Sequence, residues 1–351
     1  MIALYITSIG ETAGKSLLCA ALGRIFKTRG QKVGYLKPVA LVAEKADASD
    51  KDTEFIKLTL ALEEPVELLC PVTLSTRDFL ASANEKEPAW LKKAKETYAQ
   101  ITQGKDLVLI EGLGGFKAGS VQAVMGSKVV ETLGAKTILI VSYESSLQAS
   151  QIVDAAKGLA SHLLGVVINA VPQRRMESVK TTLVKSVERS GIKVLGALPE
   201  DRTLLTVSVG EIAENLGGNI INSSERSDNL VEAVMVGAMS PDPAVSYLSL
   251  KQNKAVVTRG DRPDIQLAAL RTLTSGLVLT NNIEPLPNIL SLAKTAKVPI
   301  IIVRDDTVHT MEALEGIFAR AQFSHDNKVE KLEQLLEQHL DLESIYQAAR
   351  A

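Results

Sequence analysis

An apolar run, Ile2 to Thr7, leads into Ser8-Ile9-Gly10-Glu11-Thr12-Ala13-Gly14-Lys15-Ser16, and an amphipathic stretch follows. That context suits a phosphate loop. Main-chain N–H groups of the turn and of the first helical turn converge on one small volume. The Lys15 ammonium adds a point charge for β- and γ-phosphate, and the Ser16 hydroxyl can ligate Mg²⁺. Gly10, Glu11, Thr12, Ala13, Gly14, Lys15, Ser16 and Leu17 are therefore the expected nucleotide contacts. The strict spacing GxxxxGK[ST] would put its first glycine at Ile9, so Gly10 makes this a compressed variant. A tight turn in which Lys15 and Ser16 only cap and solvate the helix is the plain alternative.

Leu107-Val108-Leu109-Ile110 followed by Glu111-Gly112-Leu113-Gly114-Gly115 sets a carboxylate at the tip of a buried strand. Mg²⁺ takes octahedral oxygen ligands and keeps waters, so Ser16, one or two carboxylates and phosphate oxygens suffice. Glu111 is one expected ligand and Asp52, in Asp50-Lys51-Asp52-Thr53, the other, although an acidic pair also caps a helix start. Lys37 follows the second strand, before Pro38, and there it would neutralise charge in phosphoryl transfer, hold an acidic substrate, or stand exposed to solvent. Lys15 and Lys37 are thus the expected catalytic cations. Asn169, after Gly165-Val166-Val167-Ile168, sits where an amide reads a purine edge or caps a strand-end turn, and Pro199 is counted with the nucleotide contacts.

These groups need a scaffold, and the first two hundred residues supply the pattern of one. Apolar runs at Ile2 to Thr7, Val33 to Leu36, Leu107 to Ile110, Thr137 to Val141, Gly165 to Ile168 and Val194 to Ala197 read as strands buried on both faces. Amphipathic segments such as Lys15 to Thr28 alternate with them, which predicts an α/β fold with a parallel sheet covered by helices. From Ala43 to Gly104 no strand pattern is evident, and a helical excursion over the strand ends is expected. The pattern pauses near Leu198 to Asp201 and restarts. The reading is a first domain over 1–203, a smaller α/β domain over 204–322 and a C-terminal helix over 323–351. In the second domain strands are expected at Leu204 to Val209, Ile220-Ile221, Ala255 to Val257, Gly276 to Leu279 and Pro299 to Val303. The C-terminal segment carries Val329, Leu332, Leu336 and Leu340 between charges, as a packing or dimer helix would, and a homo-oligomer is expected.

Composition narrows the function classes. Lys plus Arg is 39 against 41 for Asp plus Glu, so no global cationic field gathers nucleic acid or anionic lipid. Aromatic residues make up 4%, too few for a platform stacking successive bases. The cysteines, Cys19 and Cys70, suggest neither a disulfide framework nor a zinc cage. Neither a leader pattern nor an 18-residue apolar run is present, so a cytoplasmic, soluble protein that engages neither membrane nor nucleic acid is expected.

In this order, the Gly10 to Ser16 loop, Tyr35-Leu36-Lys37-Pro38-Val39, the Asp52 region, Glu111-Gly112-Leu113-Gly114-Gly115 and Asn169-Ala170-Val171-Pro172 resemble dethiobiotin synthetase. The resemblance implies a loop that binds ATP, Mg²⁺ on Ser16, Asp52 and Glu111, Lys37 at the substrate and Asn169 at the adenine. The second half, with Thr258-Arg259-Gly260-Asp261-Arg262-Pro263-Asp264, Leu279-Thr280-Asn281-Asn282 and Val303-Arg304-Asp305-Asp306-Thr307, looks like the DRTGG domain. In tandem the two are similar to the N-terminal regulatory half of long phosphate acetyltransferases. Asp261 and Arg262 sit where a crevice in an open sheet would bind a small metabolite, or where Arg262 pairs with Asp261, Asp264 or Asp305 to hold two loops together. His309 reads as a surface or helix-start residue.

Two functions compete. One is an ATP-loading domain coupled to a ligand-sensing DRTGG domain, regulatory in central or acyl-phosphate metabolism. The other is a ligase that activates a carboxylate with ATP, as dethiobiotin synthetase does. Acetyl transfer to phosphate ranks last, because the resemblance stops short of the acetyltransferase domain.

Overall fold

The computed structural model describes residues 2–10, 14–42, 50–83, 85–201, 204, 206–319 and 326–348. The chain divides into two compact units, Met1–Glu200 with Phe323–Ala351, and Asp201–Gln322.

The first unit is built on strands β1 (Ile2–Ser8), β2 (Val33–Leu36), β5 (Leu107–Glu111), β6 (Lys136–Ser142), β7 (Leu163–Val171) and β8 (Val194–Pro199). They form one parallel sheet in the order β2-β5-β1-β6-β7-β8, with helices on both faces. The strand interiors are buried almost without interruption, which is why their sequences are continuous apolar runs rather than alternating ones. Between β5 and β6 the chain crosses over β1, so the crevice beyond the carboxyl ends of these strands is where such a sheet accepts a ligand. Ser8, Lys37, Glu111 and Asn169 all stand at or just past those ends.

Helix α1 (Lys15–Thr28) buries far more than one stripe, because the C-terminal helix Asp326–His339 covers its outer side. Arg24 Nε meets Glu333 Oε1 at 2.9 Å there, and Phe26 stacks on Tyr346. The C-terminal segment is two helices rather than one. Leu340 bridges Gly196, and Asp341 caps the helix Leu342–Ala348 by accepting from the Ser344 N–H.

The excursion expected over 43–104 is largely helical where it is described, through α2 (Lys51–Thr59), α3 (Val66–Leu69), α4 (Thr76–Ser82) and α5 (Ala89–Ile101). Within it β4 (Thr73–Ser75) pairs in parallel with β3 (Ala40–Val42), which just precedes the excursion, both too brief for a period-2 pattern to register in sequence.

In the second unit β10 (Asn219–Ile220), β12 (Ala233–Val236), β13 (Lys254–Arg259), β14 (Thr274–Thr280) and β15 (Ile300–Ile302) form a sheet in the order β10-β15-β14-β13-β12. The last four run parallel and β10 antiparallel. Alternate residues of β13 serve two cores: Ala255 and Val257 pack with Ile212 and Leu314, and Val256 with Leu248 and Ile265. The strand expected over Leu204 to Val209 shrinks to β9 (Val207–Ser208), which pairs with β11 (Leu230–Val231). The reason is local. Ser208 and Glu211 form a capping box, the serine Oγ accepting from the Glu211 N–H and the carboxylate from the Ser208 N–H, which starts a helix at Val209.

Lys254 is fully buried at the start of β13 and donates to Thr272 Oγ1 and the Leu273 carbonyl, both at 2.9 Å. Burial pushes its pKa down to about 8 from 10.5. The unfolded chain then holds this proton more tightly than the folded one, so the linked stability grows as pH rises from about 8 towards 10.5. Urea midpoints measured across that interval should climb in the wild type. The climb should be missing in Lys254→Met, and an identical climb in both would refute the assignment.

Candidate functional site

Gly14 adopts φ +79°, a left-handed conformation that side-chain-bearing residues resist, and in doing so it turns β1 into α1. The first ladder bond of the helix runs from the Leu18 N–H to the Gly14 carbonyl at 2.9 Å. No side chain caps the helix and its first turn carries no acidic residue, so the initial N–H groups and the positive end of the helix dipole face the loop. Lys15 Nζ donates to Ser8 Oγ at 3.3 Å. The segment after β5 closes against this turn, with the Phe116 N–H on the Ser8 carbonyl at 2.8 Å and the Gly115 N–H on the Gly10 carbonyl at 3.3 Å. Glu11, Thr12 and Ala13, expected among the nucleotide contacts, lie outside the described residues.

Beside the turn lies a compact ionic cluster. Glu111, 3% exposed, accepts from Ser16 Oγ on Oε1 and from the Tyr35 hydroxyl on Oε2, each at 2.8 Å. Lys37 Nζ is 3.8 Å from Glu111 Oε1, donates to both Asp50 oxygens at 2.7 and 2.8 Å, and reaches Asp52 Oδ2 at 3.4 Å. Asp50 also caps α2, accepting from the Thr53 N–H and hydroxyl. Helix start and ion cluster are therefore one structure.

Burial raises the Glu111 carboxyl, and Lys37, Lys15 and the Tyr35 hydrogen bond oppose that rise. Burial also drives Lys15 down, with Glu111 the main counterweight. For Lys37 burial pulls downward as the largest single effect, yet Glu111, Asp50 and Asp52 together outweigh it and hold the ammonium above its ordinary value. Tyr35, fully buried and raised by desolvation, stays a neutral donor.

The donor set fits Mg²⁺ with phosphate. Ser16 spends its proton on Glu111 and keeps its lone pairs, which is the state a hydroxyl needs to ligate a cation. Among the described residues no group of three or more His, Cys, Asp or Glu side chains is arranged to hold a metal. A cation here would accordingly take phosphate and water oxygens for most of its shell. Asp52, 38% exposed and tilted towards Lys37, stands at the edge of the cluster.

The structure brings Lys15, Ser16, Lys37, Asp52 and Glu111 together. Asn169 lies against the loop: its Nδ2 is 3.4 Å from where a Cβ on Gly14 would stand, while its Oδ1 accepts from the Ala170 N–H. Leu17 is 3% exposed within α1, so its side chain belongs to the core, and Pro199 pairs with Val171 at the end of β8. A Cβ on Gly10 would stand in open space. Sequence reasoning missed Asp50 and Tyr35. A cap and an apolar strand residue carry no outward sign of an ionic partner, and only the parallel register of β2 with β5 sets Tyr35 near Glu111.

Gly112 is fixed by packing, since a Cβ there would lie 2.3 Å from Tyr5 Cζ in the core. Gly112→Ala should cost about 1–3 kcal/mol of stability, read by urea denaturation, and an unchanged midpoint would refute this.

In the second unit Asp261 and Arg262 do not pair with each other. Asp261 binds Arg259, and Arg262 binds Asp264 and the Met239 carbonyl, tying its loop to the one after β12. His309 is exposed and bonds Asp306 at a helix start.

Residues 3–207 match the AAA domain family and residues 211–317 the DRTGG domain. The phosphate acetyltransferase of Nitratidesulfovibrio vulgaris is 26% identical, over 96% of this chain and 50% of its own length. That of Nitrosomonas europaea is 24% identical over the same shares. The chain thus spans about half the length of the curated relatives it matches. A MinD cell division protein of Aquifex aeolicus is similar at 17% identity and a TM-score of 0.35, over 58% of this chain and 84% of the other. No described helix is long and apolar enough to cross a membrane. The chain belongs to the AAA domain family, and its AAA and DRTGG domains in tandem resemble the N-terminal half of long phosphate acetyltransferases.

Proposed function

We propose that the first unit binds an adenine nucleotide with Mg²⁺ and that the DRTGG domain senses a small ligand, the two forming a regulatory module in central or acyl-phosphate metabolism. The observation that carries this reading is the uncapped start of α1 at Gly14, with Lys15 beside it and Ser16 hydrogen bonded to the buried Glu111. In it Lys15 and the N–H groups of α1 hold the phosphates, Ser16, Glu111 and Asp52 hold the cation, and Asn169, which lies beside Gly14, contacts the adenine. Bound Mg²⁺ would offset phosphate charge.

The ligase reading needs Lys37 to receive an acidic substrate. Its ammonium already donates to two aspartates and lies near Glu111, which favours a role in holding the cluster. Calorimetric titration of the protein with ATP should give saturable binding that strengthens on adding Mg²⁺. ATP binding that ignores Mg²⁺, or no binding at all, would overturn the reading. ADP formation that depends on a carboxylic acid and an amine would favour the ligase.

A further inference from the structure

The parallel strands of the second unit enter their sheet past a row of polar residues. Glu232 precedes β12, Asn253 precedes β13, Thr274 and Ser275 open β14, and Lys297 stands in the turn before β15. With Arg226 they line a cavity of about 430 Å³ at the amino ends of the strands, within the size range of small-molecule sites. Asp261 and Arg262 follow the last residue of β13, so they belong to the opposite end of the sheet.

The wall of this cavity is polar and cationic. Among the described residues Arg226 and Lys297 make no ion pair with a carboxylate, whereas Glu232 is engaged, its Oε1 accepting from Asn253 Nδ2 at 2.7 Å. The backbone is also unusual. Asn253 and Lys297 have φ of 46° and 56°, and a lysine in that conformation keeps a cation at the cavity where glycine would relieve the strain.

We infer that this cavity binds a small phosphomonoester bearing hydroxyl groups, with Arg226 and Lys297 on the phosphate and Glu232 and Asn253 on the hydroxyls. A guanidinium fork and an ammonium match phosphate oxygens. A carboxylate beside a carboxamide matches vicinal hydroxyls, and so polar a wall gives an acyl chain nothing to bury against. The inference rests on reading the DRTGG domain as a sensor but not on nucleotide binding by the first unit.

The test uses the full chain carrying Lys15→Ala, which weakens the phosphate loop, with ribose 5-phosphate as probe and ribose as the uncharged control. Calorimetry should show saturable binding of ribose 5-phosphate that weakens with salt, and none of ribose. The double variant Arg226→Gln/Lys297→Gln should bind at least about tenfold more weakly. Arg262→Gln, at the other end of the sheet, should bind as before. If the double variant does not fold, judged by thermal melting, Asn253→Asp takes its place and should weaken binding by adding a negative charge. No saturable binding, affinity unchanged in the cavity variants, or loss confined to Arg262→Gln would overturn the proposal. MgATP titration of the wild-type chain reads the first unit separately, so failure there removes the phosphate-loop reading and leaves the cavity untouched.

Discussion

Replacing Lys15 with alanine should weaken MgATP binding about tenfold to hundredfold without lowering the thermal stability of the free protein. The first part follows from losing a charge-assisted contact to phosphate, worth ~1.5–3 kcal/mol, where each factor of ten is ~1.4 kcal/mol. The second follows from what Lys15 does when nothing is bound. Burial is the largest influence on its pKa and lowers it, so the folded chain holds this charge at a disadvantage, and the hydrogen bond it donates to Ser8 Oγ is long at 3.3 Å. A residue kept at a cost to the free fold is what a ligand site requires. Thermal melting and calorimetry on the two proteins separate the terms. Equal MgATP affinity would remove Lys15 from the phosphate site, and a large drop in melting temperature would show that its role is structural.

Much of this site was legible because the phosphate loop is local. The spacing of Gly14, Lys15 and Ser16 after an apolar strand determines both the turn and the helix start, and the described structure realises it at φ +79°. Glu111 was legible for the same reason, as a carboxylate ending an apolar strand. Less visible were groups whose meaning comes from register. Tyr35 lies one residue before the end of β2, and its link to Glu111 arises only once β2 pairs with β5. Asp50 was hidden by its local role, since its cap on α2 explains the residue completely until Lys37 is seen against it. At the Leu204 to Val209 segment the apolar run competed with the Ser208 and Glu211 capping box, and the capping box prevailed because it satisfies two otherwise orphaned N–H groups. The polar row at the strand starts of the second unit has no motif. Its members are far apart in sequence and meet only through the parallel order β12-β13-β14-β15.

Lys37→Met should destabilise the free protein by about 3 kcal/mol near neutral pH, and the deficit should shrink on acidification. Removing one member of a buried ionic cluster leaves the others uncompensated, at a cost of ~3–5 kcal/mol, and water at the 38% exposed Asp52 moves the expectation to the lower end. Asp50 and Glu111 have no such relief, at 16% and 3% exposure. The pH dependence comes from Glu111. Burial holds its carboxyl above the ordinary value in the folded chain, with Lys37 the first force opposing the rise, so the variant raises it further. A carboxyl raised on folding contributes stability that is complete below its unfolded pKa and lost as pH climbs through the folded one. The variant therefore loses more than the wild type as pH rises from the ordinary carboxylate range towards neutrality, and the two converge when Glu111 is protonated in both. Urea denaturation of the pair at about pH 5 and about pH 7.5 measures this directly. A deficit equal at both values would mean that Lys37 acts through packing of its stem or through Asp50 at the start of α2. A deficit that grows on acidification has the opposite sign and would refute Lys37 as the charge that keeps Glu111 ionised.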